Sequence, residues 1–317
     1  MTSPRAVVTG AYSNIGGAVG RELLARGWRV ETLTNHPRPD DPAALAIVPH
    51  PLGFEPAALR RVLAGAHLLV NTYWIRFPRS GVTFAHAVRD TRTLLDAARD
   101  AGVRRLVQIS VSHAGDASDL GYYRGKGQVE CLVRESGLSY AIVRPTLVVG
   151  PHDVLTHHIA WLLRRLPWFG IPSGPGYRLQ PVTLGDVARI VCDAAAGGAA
   201  LTVDAAGPET FTFREYVGGL ARAIGRPLRA FPMPPWAAIA CLRPLGWALR
   251  DTLLTTEELE GLRRDLLTSP SPPLGTERVG EWIARHGQGF GTRYVNDTID
   301  RFARARRARD AAAHGGA

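Results

Sequence analysis

Arg5-Ala6-Val7-Val8-Thr9-Gly10-Ala11-Tyr12-Ser13-Asn14-Ile15-Gly16-Gly17-Ala18-Val19 is the stretch on which the fold turns. Ala6 to Thr9 is a short, continuous apolar run, the pattern of a strand covered on both faces. From Gly16 to Arg26, Val19, Leu23 and Leu24 recur at helical spacing. The turn between strand and helix is tight, and glycine serves it because a side chain would block φ > 0 or the approach of a ligand. A helix that starts there offers unpaired N–H groups and a partial positive charge to a pyrophosphate. The usual dinucleotide spacing is G-x-G-x-x-G. Here Gly10 and Gly16 are six apart, and Ser13 stands where a third glycine often lies. The expected cofactor loop is therefore Gly10, Tyr12, Ser13, Asn14, Ile15 and Gly16; a bare structural turn is the alternative.

Outward from this loop the same alternation repeats. Strands are expected at Arg29–Leu33, Ala46–Val48, Leu68–Val70, Leu106–Ile109 and Tyr140–Val143, with helices around Leu59–Leu63, Gly81–Ala101 and Tyr122–Ser136. Apolar strands alternating with helices mean an α/β fold, a parallel sheet covered on both faces. After Pro145 the pattern changes. Helices are expected over Ile159–Leu166 and Gly185–Ala196, a proline- and glycine-rich break over Pro167–Gly176, and a seventh strand at Leu201–Val203. Further helices follow near Arg214–Ile224, Trp236–Leu249, Thr256–Leu267, Glu277–His286 and Asn296–Arg309. The reading is a doubly wound sheet domain over residues 1–150, its sheet completed by about 182–204, then a smaller, mostly helical substrate or partner domain over 151–317.

The second strand ends Glu31-Thr32-Leu33-Thr34-Asn35-His36-Pro37-Arg38. NAD enzymes commonly place an acid at that strand's end to hold the ribose 2′-OH. Thr34 and Asn35 take that place and do not repel a phosphate, while His36 and Arg38 lie near enough in sequence to meet a 2′-phosphate. NADP(H) is therefore favoured over NAD(H); Arg38 as one of many surface arginines is the plain alternative. Asn71-Thr72-Tyr73, closing the fourth strand, joins the expected cofactor set because ligands of open parallel sheets lie at the strands' carboxyl ends.

Lys126 is the only lysine among 38 basic residues, and it follows Tyr122 by four positions. At that spacing two side chains share one helix face. An ammonium beside a phenol lowers its pKa toward a useful general acid or base. Surface cations in this chain are arginine everywhere else, and a compact, titratable ammonium is not interchangeable with a guanidinium. Tyr123 reads as a packing aromatic. Ser110 and Ser112, with the same parity at the end of the fifth strand, are candidates to bind a substrate oxygen; a polar loop start is the plain alternative.

Composition excludes other classes. The 317 residues are 45% hydrophobic and 21% charged, ordinary for a globular protein and wrong for a disordered chain or a fibre. Cys131, Cys192 and Cys241 are too few and scattered for a disulfide framework or a zinc site. Adjacent His157 and His158 point to different helix faces, so no metal is expected. The lack of a long uncharged apolar run and of a signal-like start points to the cytoplasm. The net charge of +10 includes five arginines against one aspartate in residues 301–317. Nucleic-acid binding is a minor reading of that tail, behind coding bias and solvation.

With these residues assembled, the chain resembles the short-chain dehydrogenase/reductase superfamily, in its extended and atypical branch. The likeness is carried by Thr9-Gly10 with Gly16, by Tyr122 with Lys126, and by Arg144-Pro145-Thr146 with Gly150. A closer likeness, to NmrA-like proteins and the 39-kDa subunit of respiratory complex I, rests on Tyr122 to Lys126 followed by Glu130, on Gly150-Pro151-His152-Asp153, and on Leu179 to Val182 with Asp186. It covers residues 5–225 well. The resemblance implies a seven-stranded Rossmann sheet, bound NAD(P)(H), Tyr122 as the proton-transferring residue and Lys126 as its helper. Pro145, Thr146 and Leu147 would line the nicotinamide side. Two positions depart from the pattern: Ser13 replaces the middle glycine, and Val111 occupies the usual hydroxyl position. The implied activity is that of an NAD(P)(H)-dependent oxidoreductase or epimerase acting on a small carbonyl or alcohol. A cofactor-binding scaffold or redox-sensing partner protein is the alternative, with the apolar segment 234–249 as lid, partner surface or membrane-surface contact, behind ordinary helix packing. An oligomer is compatible with either.

Overall fold

The computed structural model describes residues 3–36, 46–79, 81–174 and 177–296. Two compact units emerge. The first, Met1–Pro145 with Leu184–Ala205 and Pro273–Gly275, opens with β1 (Arg5–Thr9), α1 (Asn14–Ala25), β2 (Arg29–Leu33), β3 (Ile47–His50) and α2 (Pro56–Leu63). It continues through β4 (Leu68–Asn71), α3 (Phe84–Asp100), β5 (Arg105–Ile109), α4 (Gly121–Glu135) and β6 (Tyr140–Pro145). The chain then enters the second unit with β7 (Leu147–Val149), α5 (Val154–Arg165), β8 (Phe169–Pro172), β9 (Arg178–Leu179) and β10 (Pro181–Thr183). It returns to the first for α6 (Leu184–Ala196) and β11 (Leu201–Ala205). The second unit resumes with β12 (Phe211–Thr212), α7 (Phe213–Ala223), β13 (Ala230–Met233), α8 (Pro235–Leu249), α9 (Thr256–Arg263) and α10 (Val279–His286).

The first unit is a Rossmann-type α/β fold, as expected. Its seven parallel strands run in the order β11-β6-β5-β4-β1-β2-β3. Alternate residues of each strand face opposite sides. Val7, Leu69, Leu106 and Ile142 enter one core with Leu59 and Leu63 of α2, Leu94 of α3 and Val129 and Val133 of α4. All nine are essentially inaccessible to water, and each full burial stabilises by about 1.5–3 kcal/mol. The strand order reverses between β1 and β4, and such a switch point is where open sheets open a crevice for ligands.

The second unit gathers α5, α7, α9 and α10 around a core that includes Ile159, Leu163, Tyr216, Leu220, Leu262 and Ile283. Three two-strand ribbons complete it: β7 with β10, β8 with β13, and β9 with β12.

Caps explain where the observed helices differ from the sequence expectation. Thr83 caps α3 in a reciprocal box with His86, so the helix starts at Phe84 and not near Gly81. Asp153 accepts from the Thr156 N–H, starting α5 five residues earlier than the apolar pattern suggested. The stretch Pro167–Gly176, read as a break, contains β8; its ribbon has only edges, where proline is tolerated. Pro181–Thr183 pairs with β7, so β11 alone adds the seventh strand. The expected helix over 296–309 lies almost wholly outside the described residues, as does the basic tail. Among the described residues no helix is long and apolar enough to cross a membrane.

Candidate active site

The loop after β1 is shaped by two glycines. Gly10 takes φ +67°, a conformation open to glycine at little cost. At Gly16 an added Cβ would lie 2.3 Å from the Gly10 carbonyl oxygen. The Ser13 N–H donates to that same oxygen at 2.8 Å, closing the turn. Ser13 caps α1 with extended backbone, but its side chain makes no capping bond. A strut fixes the loop to the sheet: the Ala11 N–H donates to Thr32 Oγ1 at 2.9 Å, and that hydroxyl donates to the Val8 carbonyl at 2.8 Å. The Tyr12 hydroxyl donates to the Ile47 carbonyl at 3.1 Å. Asn14 Oδ1, in the first turn of α1, is buried with no hydrogen-bond partner among the described residues. A turn too tight for a side chain and a helix start whose N–H groups no side chain caps fit a bound pyrophosphate.

Thr9 ties this loop to the switch point. Its hydroxyl donates to Asn71 Oδ1 at 3.0 Å and accepts from the Thr72 and Tyr73 N–H groups at 2.7 and 3.0 Å. The Thr72 hydroxyl donates to the Thr9 carbonyl. Asn71 passes the network to Gln108 at 2.8 Å. Asn71, Thr72 and Tyr73 thus stand beside the phosphate loop. The Tyr73 hydroxyl, however, donates to Asp90 on α3 at 2.7 Å, and burial followed by that carboxylate pushes its phenol far up.

At the end of β2 the Thr34 N–H donates to the His50 carbonyl, and the His36 N–H donates to Thr34 Oγ1 at 3.1 Å. The Asn35 amide is committed on both sides to the backbone of Leu52, at 2.8 and 3.1 Å. Arg38 lies outside the described residues. The nearest acid, Glu31, sits inside the strand and is bound by Arg5 and His50, each at 2.8 Å. Burial opposes its ionisation, yet those hydrogen bonds hold the carboxyl below its ordinary range.

Tyr122 and Lys126 lie on the first turns of α4. Lys126 is buried, and Nζ donates to the Ile109 carbonyl at 3.0 Å. It also stands 4.8 Å from the centre of the Trp74 ring. Burial pulls the ammonium down to about 7, against the opposing charge of Glu130. The half-buried Tyr122 packs edge-on to Trp74 and Phe84, at 6.1 and 6.0 Å between ring centres. Trp74 stacks on Phe84 and leaves room only for glycine at position 125, where a Cβ would come within 2.9 Å of its ring. Trp74 and Phe84 carried no signal in the sequence; tertiary packing brings them to Tyr122. Tyr123 is buried as a packing residue.

Ser110 and Ser112 are both buried at the end of β5, and their N–H groups continue the pairing with β6 by donating to the Val143 and Pro145 carbonyls. The Ser110 hydroxyl donates to Glu130 Oε1 at 2.6 Å. Glu130 also accepts from Arg134 at 2.8 Å and from Arg144 through two nitrogens, at 2.8 and 2.5 Å. Burial opposes the charge, but Arg144 and Ser110 hold the carboxyl below its ordinary range. His113 then turns the chain away in a left-handed conformation, φ 57°. Pro145 closes β6 next to Ser112. Thr146 and Leu147 belong to the second unit, where the Thr146 hydroxyl donates to the Gln180 carbonyl.

A glycine-cornered loop at a sheet's switch point, with a buried lysine one helical turn beyond a tyrosine, is an arrangement that suits a nicotinamide cofactor on a Rossmann sheet. Comparison with known proteins agrees. The NAD(P)H-binding family matches residues 10–153. The (4-alkanoyl-5-oxo-2,5-dihydrofuran-3-yl)methyl phosphate reductase of Streptomyces griseus is 31% identical over 90% of this chain and 98% of its own length. Two solved structures share the fold. The triphenylmethane reductase of Citrobacter sp. has a TM-score of 0.75 at 18% identity, covering 90% of this chain and 99% of its own. The NADPH-dependent quinone oxidoreductase of Escherichia coli, complexed with NADPH, has a TM-score of 0.69 at 22% identity, covering 88% and 99%. The chain belongs to the same NAD(P)H-binding family as the Streptomyces reductase and is an NAD(P)-dependent oxidoreductase or epimerase.

Proposed function

We propose that the chain is an NADP(H)-preferring reductase of a small carbonyl compound, working with Tyr122 and Lys126. The observation that carries this reading is Lys126: the only lysine, buried one turn beyond Tyr122, with its ammonium pulled down to about 7. Bound NADPH supplies hydride from its nicotinamide. Tyr122 gives its phenolic proton to the substrate oxygen. Lys126, anchored on the Ile109 carbonyl, holds a proton near neutrality beside that exchange and presents a charge to the tyrosine and the ribose. Glu130 fixes the Ser110 hydroxyl by taking up its one proton, which leaves the Ser110 oxygen as an acceptor, and Ser112 closes the same strand end. The uncapped start of α1 holds the pyrophosphate. The first unit binds the cofactor. The dihydrofuranone acted on by the Streptomyces relative supports a carbonyl substrate. Three free cysteines suit a reducing cytoplasm.

The test is deuterium transfer from C4-labelled NADPH to a panel of aldehydes, ketones and conjugated lactones. Transfer to at least one is expected, and Tyr122→Phe should lower that rate roughly 10²–10⁴-fold, the usual worth of a positioned proton donor, with NADPH affinity unchanged. Full activity in Tyr122→Phe would overturn the mechanism.

A further inference from the structure

The second unit carries a helix whose outer face has no partner among the described residues. On α8, Trp236, Ala240, Arg243, Pro244 and Trp247 are all exposed, Trp236 at 72% and Trp247 at 86%. At about 100° per residue these positions fall on one stripe, and the two tryptophans, eleven residues apart, differ by only ~20° around the axis and ~16 Å along it. The inner face is already satisfied: Ala238 and Gly246 are buried, and Ile239, Leu242 and Leu245 pack on the unit's core. A helix that is apolar all round is normally buried all round. The ribbon leading into α8 leaves Trp168 and Phe231 exposed as well. Single exposed apolar residues are ordinary, but a continuous stripe marks a surface that something covers.

Charge indicates what that something is. Between Glu215 and Asp251 the chain holds five arginines and no carboxylate, and all five are exposed. A two-fold contact with a second copy would set these arginines against their own kind with no acid in the segment to answer them. The stripe's hydrogen-bond donors are its indoles and Arg243, with no polar rim of the kind protein interfaces carry. Indole rings favour the level of lipid headgroups, and arginine stems lie along apolar surface while the guanidinium reaches anionic groups. We propose that the outer face of α8 docks on a bilayer of anionic phospholipid, with Trp236 and Trp247 entering the interface and Arg243 meeting headgroup phosphates.

The experiment is sedimentation of the full-length protein with phosphatidylcholine vesicles, with and without phosphatidylglycerol, at low and high salt. Binding to the anionic vesicles, weakened by salt, is expected. The double variant Trp236→Ser/Trp247→Ser, at sites where water already surrounds the side chains, should keep its fold and reductase activity. Its vesicle binding should fall at least roughly tenfold, as for loss of interfacial aromatic anchors. Absence of binding by the parent protein overturns the proposal. So does undiminished binding by the double variant, which would assign attachment to charge alone, including the basic tail. A dimer abolished by the same two substitutions would show that a second copy covers the face.

Discussion

From Thr9 to Gly16 the molecule is held by backbone amides, carbonyl oxygens and hydroxyls. Behind Tyr122, Lys126, Glu130, Arg134 and Arg144 converge around one strand end. The loop needs space and unspent N–H groups, so one methyl group in the wrong place disrupts it. The charged cluster needs burial and complete pairing, so it responds to pH and to the loss of one partner. Two halves of one site are thus built on different physics, sterics in one and electrostatics in the other, and each fails in its own way.

The largest expected effect lies in the charged half. Glu130 is 1% exposed and answers Arg144, Arg134 and Ser110. Glu130→Ala leaves two guanidinium groups and a buried hydroxyl without their acceptor. Breaking a buried pair from one side costs about 3–5 kcal/mol, and the lower end is expected here because both arginines reach water. Denaturant unfolding checks the stability. The activity of folded Glu130→Gln checks the positioning of Ser110, since an amide oxygen still accepts its hydrogen bond. A loss below about 1 kcal/mol in Glu130→Ala, the worth of a surface pair, would show that the cluster is not held as a unit.

The loop half breaks by volume. Gly16→Ala places a Cβ 2.3 Å from the Gly10 oxygen and 2.8 Å from its carbon, both backbone atoms that cannot rotate away. Overpacking of this kind costs roughly 1–3 kcal/mol, or about fivefold to 150-fold if it falls on NADPH affinity. Fluorescence titration of NADPH measures it. The effect should be the same at pH 6 and pH 9, which separates it from anything in the charged half.

The contrast also explains what was legible beforehand. The strand, the turn and the helix announce the loop, because apolar runs and glycine spacing report sterics directly. Tyr122 and Lys126 stood out by spacing and by the rarity of lysine. The burial that brings Lys126 down to about 7 is a product of tertiary packing, and Trp74, whose ring stands 4.8 Å away, is remote in sequence with no pattern near it to reveal the contact. Hydrogen-bond commitments were equally hidden: nothing in Asn35 foretells its pairing with Leu52, nor in Ser110 its bond to Glu130. Helix starts were missed where a polar cap, Asp153 or Thr83, decided the boundary and the apolar period did not.

The charged half should titrate, and its sign is fixed. In the folded chain the Lys126 ammonium loses its proton near 7, against 10.5 for an ordinary lysine. Between those values the unfolded chain binds more protons than the folded one, so this group makes stability rise with pH across that window. The slope is at most about 1.4 kcal/mol per pH unit. Denaturant midpoints between pH 7 and 9 should climb in the parent protein and flatten in Lys126→Met. A parallel climb in the variant would assign the slope to other groups.

The smallest expected effect sharpens the comparison at its boundary. A loop that meets pyrophosphate through backbone groups cannot tell NADPH from NADH, which share that part. Discrimination must come from the end of β2, where Thr34, Asn35 and His36, none of them an acid, follow Leu33. Arg38 follows, bracketed by Pro37 and Pro39, which restrict its backbone. A guanidinium meets phosphate oxygens in pairs and gains from their charge. At its low end one such contact is worth about 1.5 kcal/mol, roughly tenfold in affinity. NADPH should therefore bind about tenfold more tightly than NADH, and Arg38→Ala should remove most of the difference while leaving NADH affinity unchanged. The preference should survive Gly16→Ala, because that substitution weakens both cofactors alike. Side-by-side titrations of the parent and both variants test all three statements. A preference that vanished with Gly16→Ala would place the discrimination in the loop and erase the boundary between the two halves.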